Sequence, residues 1–336
     1  MQLHEVITWQ THDYPVQIVW GRQNSCCYIA LANGNVAVGK TASPQLHTFI
    51  AHEWGCTKLC LNETGLKLAT AGQDNLCKIW DVSTWQCLQT LQLSKQWVTD
   101  MAFAPQTDYL AVISGKVLHI YSPEFELVYQ MQTWDYSPTH VQWLNSTTLV
   151  IAKYGGLVRI DLAQNAAVEV YPFPTALVSL ACSPNERWVA GGTQDQAVHL
   201  WQLPYQPGTD LAMSGYMNKV KSLAWYADST HLATHSQNKV VLWNVAQKGG
   251  PAGSKPIILY DHAGKITKLL TLKKNNRIWS GDNLGMVCLF EHAQSSNALL
   301  KDFLGSAITD ITTSPSEDMV IFATEKGQVG VYQIVE

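Results

Sequence analysis

The sequence repeats one short strand pattern eight times. Each copy is an alternating apolar run, six of them finishing on a bulky aromatic residue, and the end positions are Gly39, Trp80, Tyr121, Asp161, Trp201, Trp243, Phe290 and Tyr332. The successive intervals between these positions are 41, 41, 40, 40, 42, 47 and 42 residues. A repeat of this length that holds four short strands is typical of a β-propeller blade. The sequence therefore predicts an all-β fold of eight four-stranded antiparallel blades.

The second copy shows how one repeat is built. Cys56 to Leu61 is predicted to be an inner strand, and a polar turn leads to a second strand at Leu66 to Ala71. The third strand ends at Trp80, and Gln86 to Leu91 forms the outer strand. Helical periodicity is nowhere sustained, so we expect very little helix. The longest interval contains a Gly- and Pro-rich insertion at Gln247 to Pro256, which we expect to be a mobile loop.

The two ends of the chain are predicted to complete one blade together. The last copy, which begins near Ala307, runs out before it can supply an outer strand, whereas Leu3 to Gln10 reads as an outer strand placed before the first inner one. Pairing these segments would close the propeller without a long unpaired edge. Residues 1–336 are thus predicted to form a single domain. Seven blades are the alternative, if the copy that ends at Gly39 or Asp161 is irregular.

Composition narrows the classes of function. The net charge is −4 and the 22 Lys and Arg residues form no dense run, which argues against binding to nucleic acid. No apolar stretch approaches the roughly 20 residues that cross a bilayer, and the amino terminus lacks the pattern of a secretory signal, so we expect a cytoplasmic protein without membrane contact. The eight cysteines lie mostly in apolar runs and are predicted to be reduced and buried. We expect a monomer that works within a larger complex.

The sequence contains none of the catalytic motifs that we sought. A Gly-rich phosphate loop, a GxSxG elbow and an HExxH helix are all missing, so we predict a protein that is not an enzyme and needs no cofactor. His52, Cys56 and Cys60 come nearest to a metal-ligand cluster, but strand positions four apart are separated by roughly 13 Å, too far to share one zinc ion. A metal-handling protein that uses Cys and His, and a propeller that binds a small molecule in its channel, remain the alternative functions.

Aromatic side chains mark the connections from each outer strand to the next inner strand. In a propeller these connections open onto one face around the central channel. The candidate partner-binding residues on them are Tyr14, Trp54, Trp97, Trp134, Tyr136, Phe173, Tyr216 and Lys265. Aromatic residues are enriched at binding hot spots because they present a large apolar area at a small loss of rotamer entropy. We predict that these residues bind a protein or peptide partner, although about half of the aromatics are expected to pack between blades.

The residues that flank the strands resemble the WD-repeat (WD40) β-propeller family over nearly the whole chain. The resemblance is carried by the dipeptide Trp80–Asp81 and by a His before three inner strands, at His12, His52 and His262. It implies a scaffold for the assembly of protein complexes. Trp201 and Trp243 carry degraded forms of the dipeptide. 

Members of that family lock a blade with a buried tetrad of His, Ser or Thr, Asp and Trp. The resemblance implies one complete structural tetrad here, formed by His52, Thr70, Asp74 and Trp80. The fifth copy keeps Asp195 without the His. The seventh keeps His262 and Ser280 but has Leu284 at the position expected for the Asp, so we expect no complete network in that blade.

Overall fold

The strands of the protein form eight separate four-stranded sheets. The computed structural model describes residues 2–22, 26–93, 96–131, 135–164, 166–247, 249–260, 262–291, 299–302 and 305–335. Within these residues the helical structure is limited to one 3₁₀ turn at Leu162–Gln164. The fold is therefore an eight-bladed all-β propeller, which confirms the predicted fold class and excludes the seven-bladed alternative.

The first compact unit, here the N-terminal unit, comprises Val6–Pro174 and Gly327–Gly330. It holds blades 1 to 4, and each blade is four consecutive strands paired in chain order. The strands are β1 (Gln2–Gln10), which enters this unit at Val6, then β2 (Pro15–Trp20), β3 (Cys26–Leu31), β4 (Asn35–Lys40), β5 (Leu46–Ile50), β6 (Cys56–Leu61), β7 (Lys67–Gly72), β8 (Leu76–Asp81), β9 (Cys87–Gln92), β10 (Val98–Phe103), β11 (Leu110–Ser114), β12 (Val117–Tyr121), β13 (Leu127–Met131), β14 (His140–Trp143), β15 (Thr148–Lys153), β16 (Gly156–Asp161) and β17 (Ala167–Pro172).

The second compact unit, here the C-terminal unit, comprises Met1–Glu5, Thr175–Lys326 and Val331–Glu336. Its strands are β18 (Leu177–Cys182), β19 (Trp188–Thr193), β20 (Val198–Gln202), β21 (Leu211–Met213), β22 (Ala224–Trp225), β23 (His231–Ser236), β24 (Lys239–Asn244), β25 (Ile257–Tyr260), β26 (Ile266–Thr271), β27 (Ile278–Asp282), β28 (Met286–Phe290), β29 (Leu299–Asp302), β30 (Ile308–Thr313), β31 (Met319–Thr324) and β32 (Gln328–Val335). Blades 5, 6 and 7 again follow chain order. Blade 8 has the order β1-β32-β31-β30, which confirms the predicted pairing of the two chain ends.

The hydrophobic core lies between neighbouring blades. The cluster between blades 1 and 2, for example, joins Tyr28 and Val38 of blade 1 to Leu59, Leu68 and Trp80 of blade 2. Comparable clusters lie between the other neighbouring blades inside each unit. Because a middle strand packs against a blade on each side, both of its faces are buried, and its sequence is a nearly continuous apolar run.

A hydroxyl near the start of the inner strand links each of three blades to the next. Thr57 Oγ1 donates to the carbonyl oxygen of Val98 at 2.9 Å, and Ser179 Oγ donates to that of Val220 at 2.7 Å. Thr267 makes the same bond at 2.7 Å, and in all three cases donor and acceptor are 41 residues apart. Since this separation is close to one repeat interval, each bond joins the start of one inner strand to the neighbouring part of the next repeat.

The Gly- and Pro-rich insertion lies between β24 and β25. Gly250 and Pro251 in it are buried. A Cβ atom at Gly250 would stand 3.0 Å from Leu211 and 3.1 Å from Trp188, so the insertion is packed against blade 5 at this point.

Candidate functional site

The connection that carries Trp54 is fixed at both of its ends. The amide of His52 donates to the carbonyl oxygen of Gly34 at 2.9 Å, and that of Gln73 donates to the carbonyl oxygen of Gly55 at 2.9 Å. Gly34 has φ of +92°, and a Cβ atom there would lie 2.4 Å from the carbonyl oxygens of His52 and Trp54. Only glycine permits this close approach. The connection thus holds an indole that is 57% exposed.

Tyr14 and Trp97 are held in the same way. The carbonyl oxygen of Tyr14 accepts a hydrogen bond from the amide of Ala32 at 3.0 Å, and that of Trp97 accepts one from the amide of Gly115 at 3.3 Å. In each case the donor lies at the turn between the second and third strands of the same blade. The Tyr14 and Trp97 side chains are 45% and 57% exposed, so fixed backbone presents them to solvent.

Tyr136 is paired with an aromatic residue that the sequence analysis did not select. Its ring centroid lies 4.5 Å from that of Tyr154 at an interplanar angle of 49°, and the side chains are 56% and 43% exposed. Tyr154 lies in the turn between β15 and β16, so it is not on one of the outer-to-inner connections that the aromatic pattern marks. Phe173 is half-buried, and its amide donates to the carbonyl oxygen of Gly155 at 3.0 Å. Trp134 lies outside the described residues.

The structure brings together the four residues of the structural tetrad. Burial lowers the pKa of His52 although Asp74 acts to raise it, so the imidazole is neutral near pH 7. Its Nδ1–H donates to the Asp74 carboxylate at 2.9 and 3.0 Å, and its Nε2 accepts from the Thr70 hydroxyl at 2.8 Å. Trp80 Nε1–H donates to Thr70 Oγ1 at 2.9 Å. A Cβ atom at Gly72 would lie 2.4 Å from the His52 ring, so the ring occupies space that only glycine leaves free.

This tetrad also positions the candidate binding residue next to it. The Asp74 carboxylate accepts a hydrogen bond from the amide of Glu53 at 3.2 Å. Glu53 lies between the buried His52 and the exposed Trp54. The network therefore fixes the backbone from which the Trp54 indole projects.

Blade 7 contains a second network, which corrects the expectation that the Asp is missing there. His262 Nδ1 donates to Asp282 Oδ2 at 3.1 Å, and His262 Nε2 pairs with Ser280 Oγ at 2.6 Å. Asp282 takes the strand position that Gly72 has in blade 2, two residues before the position of Leu284. A carboxylate at this position reaches the His from the strand itself, so an Asp in the following turn is not needed.

Blade 6 builds a similar network with a tyrosine in place of the histidine. The Tyr216 hydroxyl pairs with Thr234 Oγ1 at 2.8 Å and accepts from Trp243 Nε1–H at 2.8 Å. Tyr216 and Thr234 are 18 residues apart, as are His52 and Thr70 in blade 2. The Tyr216 side chain is buried, so the structure contradicts its assignment to the partner-binding surface. Its aromatic ring and its hydroxyl are used inside the blade.

Lys265 lies on the corresponding connection of blade 7, in the C-terminal unit. Its side chain is exposed. Its amide donates to Asn283 Oδ1 at 2.5 Å, and its carbonyl oxygen accepts from the Asn283 amide at 2.9 Å. The backbone at this position is therefore fixed in the same manner as at Tyr14 and Trp97.

The cysteines are free thiols, and most of them are buried. Burial raises the pKa of Cys56 and of Cys60 to about 12, which disfavours the thiolate form that binds metal ions. Cys87 differs from the other cysteines because it is exposed. In the part of the chain that the structure describes, no group of three or more His, Cys, Asp or Glu side chains is arranged to hold a metal ion. The same part of the chain contains no helix long and apolar enough to cross a membrane.

Comparison with known proteins identifies the repeat and the fold. The family model of the WD domain, G-beta repeat, matches residues 43–81 and 169–202. The crystal structure of the computationally designed Ika8 protein superposes with a TM-score of 0.82 over 98% of this chain and 99% of that one, at 17% sequence identity. Such a likeness shows the propeller fold and carries no information on function.

Three relatives show more limited similarity in sequence. Nuclear distribution protein PAC1 of Arthroderma otae is 24% identical over 192 residues, which cover 55% of this chain and 37% of the relative. Autophagy-related protein 16 of Arabidopsis thaliana is 23% identical over 217 residues, covering 60% and 40%. WD repeat-containing protein AAC3 of Dictyostelium discoideum is 27% identical over 147 residues, covering 40% and 30%. The chain thus matches two fifths or less of the length of these relatives. The matched repeats, the relatives and the eight-bladed fold together support a WD-repeat β-propeller.

Proposed function

We propose that this protein is a non-catalytic scaffold that binds a protein or peptide partner through aromatic side chains on the channel face of its propeller. The observation that carries the proposal is the exposure of Tyr14, Trp54, Trp97 and Tyr136, each between 45% and 57%, in four successive blades of the N-terminal unit. Phe173 extends the proposed surface within this unit, and Lys265 is the candidate partner-binding residue of the C-terminal unit. Tyr216 is excluded from it by its burial.

The fixed backbone around these side chains supports a role in binding. Ordering flexible loops on association opposes affinity, whereas residues on a preformed surface avoid much of that loss. Trp54 and Trp97 lie on connections held by hydrogen bonds to the strand turns of their own blades. Large aromatic side chains on such a surface have the properties of hot-spot residues.

The family supports the same class of function, because WD-repeat proteins are in general non-catalytic interaction scaffolds. The binding of a protein or peptide partner and the use of the channel face are the parts that we propose here. The cytoplasmic location, the monomeric state within a complex and the single domain over residues 1–336 stay predictions.

The test compares Trp54→Ala and Trp97→Ala with Leu88→Ala. Leu88 is an exposed apolar residue on the outer strand β9, so its substitution controls for the loss of exposed apolar area elsewhere. Partners captured by the wild-type protein from native lysate are identified, and their affinity for each variant is then measured with purified components. We expect each Trp variant to bind about thirtyfold more weakly, which corresponds to about 2 kcal/mol at a hot spot.

The folded state is checked on the same variants. Since both indoles are exposed, their removal is expected to change the free energy of unfolding by no more than about 0.5 kcal/mol. Wild-type affinity in both Trp variants would contradict the proposed surface. A loss of binding that follows a loss of stability would instead show that the indoles are packing residues.

A further inference from the structure

An open groove lies on one face of blade 6, in the C-terminal unit. Its floor is formed by Val241 and Trp243 of β24 and by Ile258 of β25, and its volume is about 280 Å³. Val241 pairs directly with Ile258, and Lys239 with Tyr260, so alternate residues of both strands share this face. The opposite face of the two strands is packed into the core with blade 7. Val241 on the groove side is itself packed against blade 5, with Trp243 and Ile258 at the margin of that packing, and the groove is the part of this face that the packing leaves open.

The groove is open because little chain covers it. The preceding outer strand, β21, is only three residues long, whereas β9 and β17 have six. Beyond β21 the chain continues through Ser214 and Gly215, which line the groove, to Met217, which is 65% exposed. Gly215 has φ of +93° and no atom within 4 Å of the position of a Cβ. The rim at this end therefore consists of backbone and one exposed apolar side chain.

The floor of the groove is held in place from below. The hydroxyl of Tyr216 links Trp243 Nε1 to Thr234 Oγ1, with both distances 2.8 Å. On the rim, Lys239 Nζ lies 5.1 Å from the centroid of the Tyr260 ring, and Tyr260 is 56% exposed. The groove therefore combines a fixed apolar floor with a cation at its edge, and binding does not require these side chains to be ordered first.

The chain segment that supplies the groove-lining residues has a charge opposite to that of the whole protein. The segment from 211 to 262 contains five Lys, two Asp and no Arg or Glu, a formal charge of +3 in a chain whose net charge is −4. Lys219, Lys221 and Lys255 in this segment are exposed. Asp210, just before β21, is already paired with His199 at 2.7 Å. Among the described residues, no carboxylate lies within 4 Å of Lys239 Nζ.

We propose that this groove binds an acidic segment of a partner protein, with one apolar side chain of that segment inserted over Trp243 and Ile258. The volume is at the lower limit of the pockets of about 300 to 1,000 Å³ that enclose small molecules, so it suits a side chain of a bound peptide better than a cofactor. The exposed lysines attract carboxylates, and the apolar floor selects against ligands that offer phosphate charge alone. This surface lies in the other unit from Trp54 and Trp97 and does not depend on their role.

The probe is a set of short fluorescent peptides in which a central Leu or Phe is flanked by Asp and Glu. Two matched sets carry Lys in place of the acidic residues, or Ala in place of the central residue. Binding to the full chain is measured by fluorescence anisotropy. We expect the acidic peptides to bind, with affinity that falls as salt is raised from about 50 mM to about 200 mM. The Lys and Ala peptides should bind at least about tenfold more weakly.

Lys239→Glu and Tyr260→Ala test the position of the site. Both are expected to weaken binding of the acidic peptides by about tenfold or more, without a change in melting temperature, because both side chains lie on the rim. Lys116→Glu is the charge control, since Lys116 is exposed at the corresponding turn of blade 3. Trp54→Ala separates this proposal from the aromatic surface. Both control variants should bind like the wild type.

Three results would overturn the proposal. The first is that no acidic peptide binds at about 1 mM, the second that Lys239→Glu and Tyr260→Ala bind like the wild type. The third is displacement of the bound peptides by single-stranded polyuridine at equal charge concentration, which would show that the lysines form a nucleic-acid site. Loss of peptide binding in Trp54→Ala but not in Tyr260→Ala would move the peptide to the aromatic surface.

Discussion

The network of blade 7 leads to a quantitative prediction for Asp282→Ala. The Asp282 carboxylate accepts hydrogen bonds from His262 Nδ1–H at 3.1 Å and from the amide of Gly264 at 3.0 Å, and both contacts are buried. It also accepts from the amides of Leu284 and Met286, each at 2.9 Å, in a partly exposed turn that water can reach. The substitution thus strands two buried donors, at about 1 to 3 kcal/mol each. Because water can enter the vacated space, we expect a loss of about 2 to 4 kcal/mol in the free energy of unfolding.

Three other substitutions provide reference values for this loss. Asp74→Ala strands the buried His52 Nδ1–H, but the backbone amides that donate to Asp74, those of Glu53 and Leu76, are exposed and half-buried respectively and can bond to water. We therefore expect a smaller loss of about 1 to 3 kcal/mol. Asp195 lies at the same turn of blade 5 and is exposed, so Asp195→Ala should change stability by less than about 0.5 kcal/mol. Asp282→Asn keeps one acceptor oxygen and should lie between Asp282→Ala and the wild type.

The assay is denaturation by guanidinium chloride, followed by tryptophan fluorescence. Since repeat proteins do not always unfold in a single step, native-state hydrogen exchange of the β26–β29 amides supplies a local measurement. The expected order of destabilisation is Asp282→Ala, then Asp74→Ala, then Asp195→Ala. Equal losses for the Asp282 and Asp195 variants, or a larger loss for the Asp74 variant, would refute the argument from buried donors.

Two further predictions concern the chain ends and pH. Deleting residues 1–10 removes β1 with the buried Trp9, whose indole donates to the carbonyl oxygen of Ser43 at 2.9 Å. We expect a much lower melting temperature or insolubility, because β32 becomes an exposed edge strand. An unchanged melting temperature would contradict this prediction. Burial lowers the pKa of His119 and His140, and that of His235 to about 4. In the unfolded chain these histidines have their ordinary pKa of about 6.5, so below that pH the unfolded state binds protons that the folded state does not. Stability is therefore lost as the pH falls toward about 4. Urea denaturation across this range checks the loss, and His235→Gln should reduce its slope, whereas an unaltered slope would exclude His235 as a source.

The fold could be predicted because the repeat of its blades is visible in the amino-acid sequence itself. Each blade repeats the same four strands, and both faces of the middle strands are buried, so apolar runs such as those ending at Trp80 and Trp201 recur at the repeat interval. The closure could also be predicted, since Leu3 to Gln10 has no partner within the first repeat. Strand bounds differ slightly from the prediction. The second strand of blade 2, for example, is Lys67–Gly72 and not Leu66 to Ala71.

The side-chain networks were less predictable. A sequence pattern specifies only how many residues separate two positions, whereas a hydrogen bond depends on whether the two side chains can reach each other in space. Leu284 occupies the Asp position by sequence alignment, but Asp282 reaches His262 from within the strand. Tyr216 was selected as an exposed aromatic although its hydroxyl performs the part of a histidine. Tyr154 was not predicted because it lies in the turn between β15 and β16 and not on an outer-to-inner connection, although its ring contacts that of Tyr136.

A single spacing explains which residues of the connections are buried. In blades 2, 6 and 7 the side chain that meets the strand hydroxyl lies 18 residues before it, at His52, Tyr216 and His262. In blade 3 the equivalent strand position holds Val112, which has no hydroxyl, and Ser114, two residues further on, donates to the backbone carbonyl of Gln96 at 2.7 Å.

Residues just after this locked position are therefore directed outward on fixed backbone. Met217 follows it by one residue, Trp54 follows it by two, and both are more than half exposed. The spacing separates a buried aromatic such as Tyr216 from an exposed one such as Trp54, although both lie on equivalent connections. A blade can thus change its locking residue between His and Tyr and still present a nearby side chain to solvent on fixed backbone.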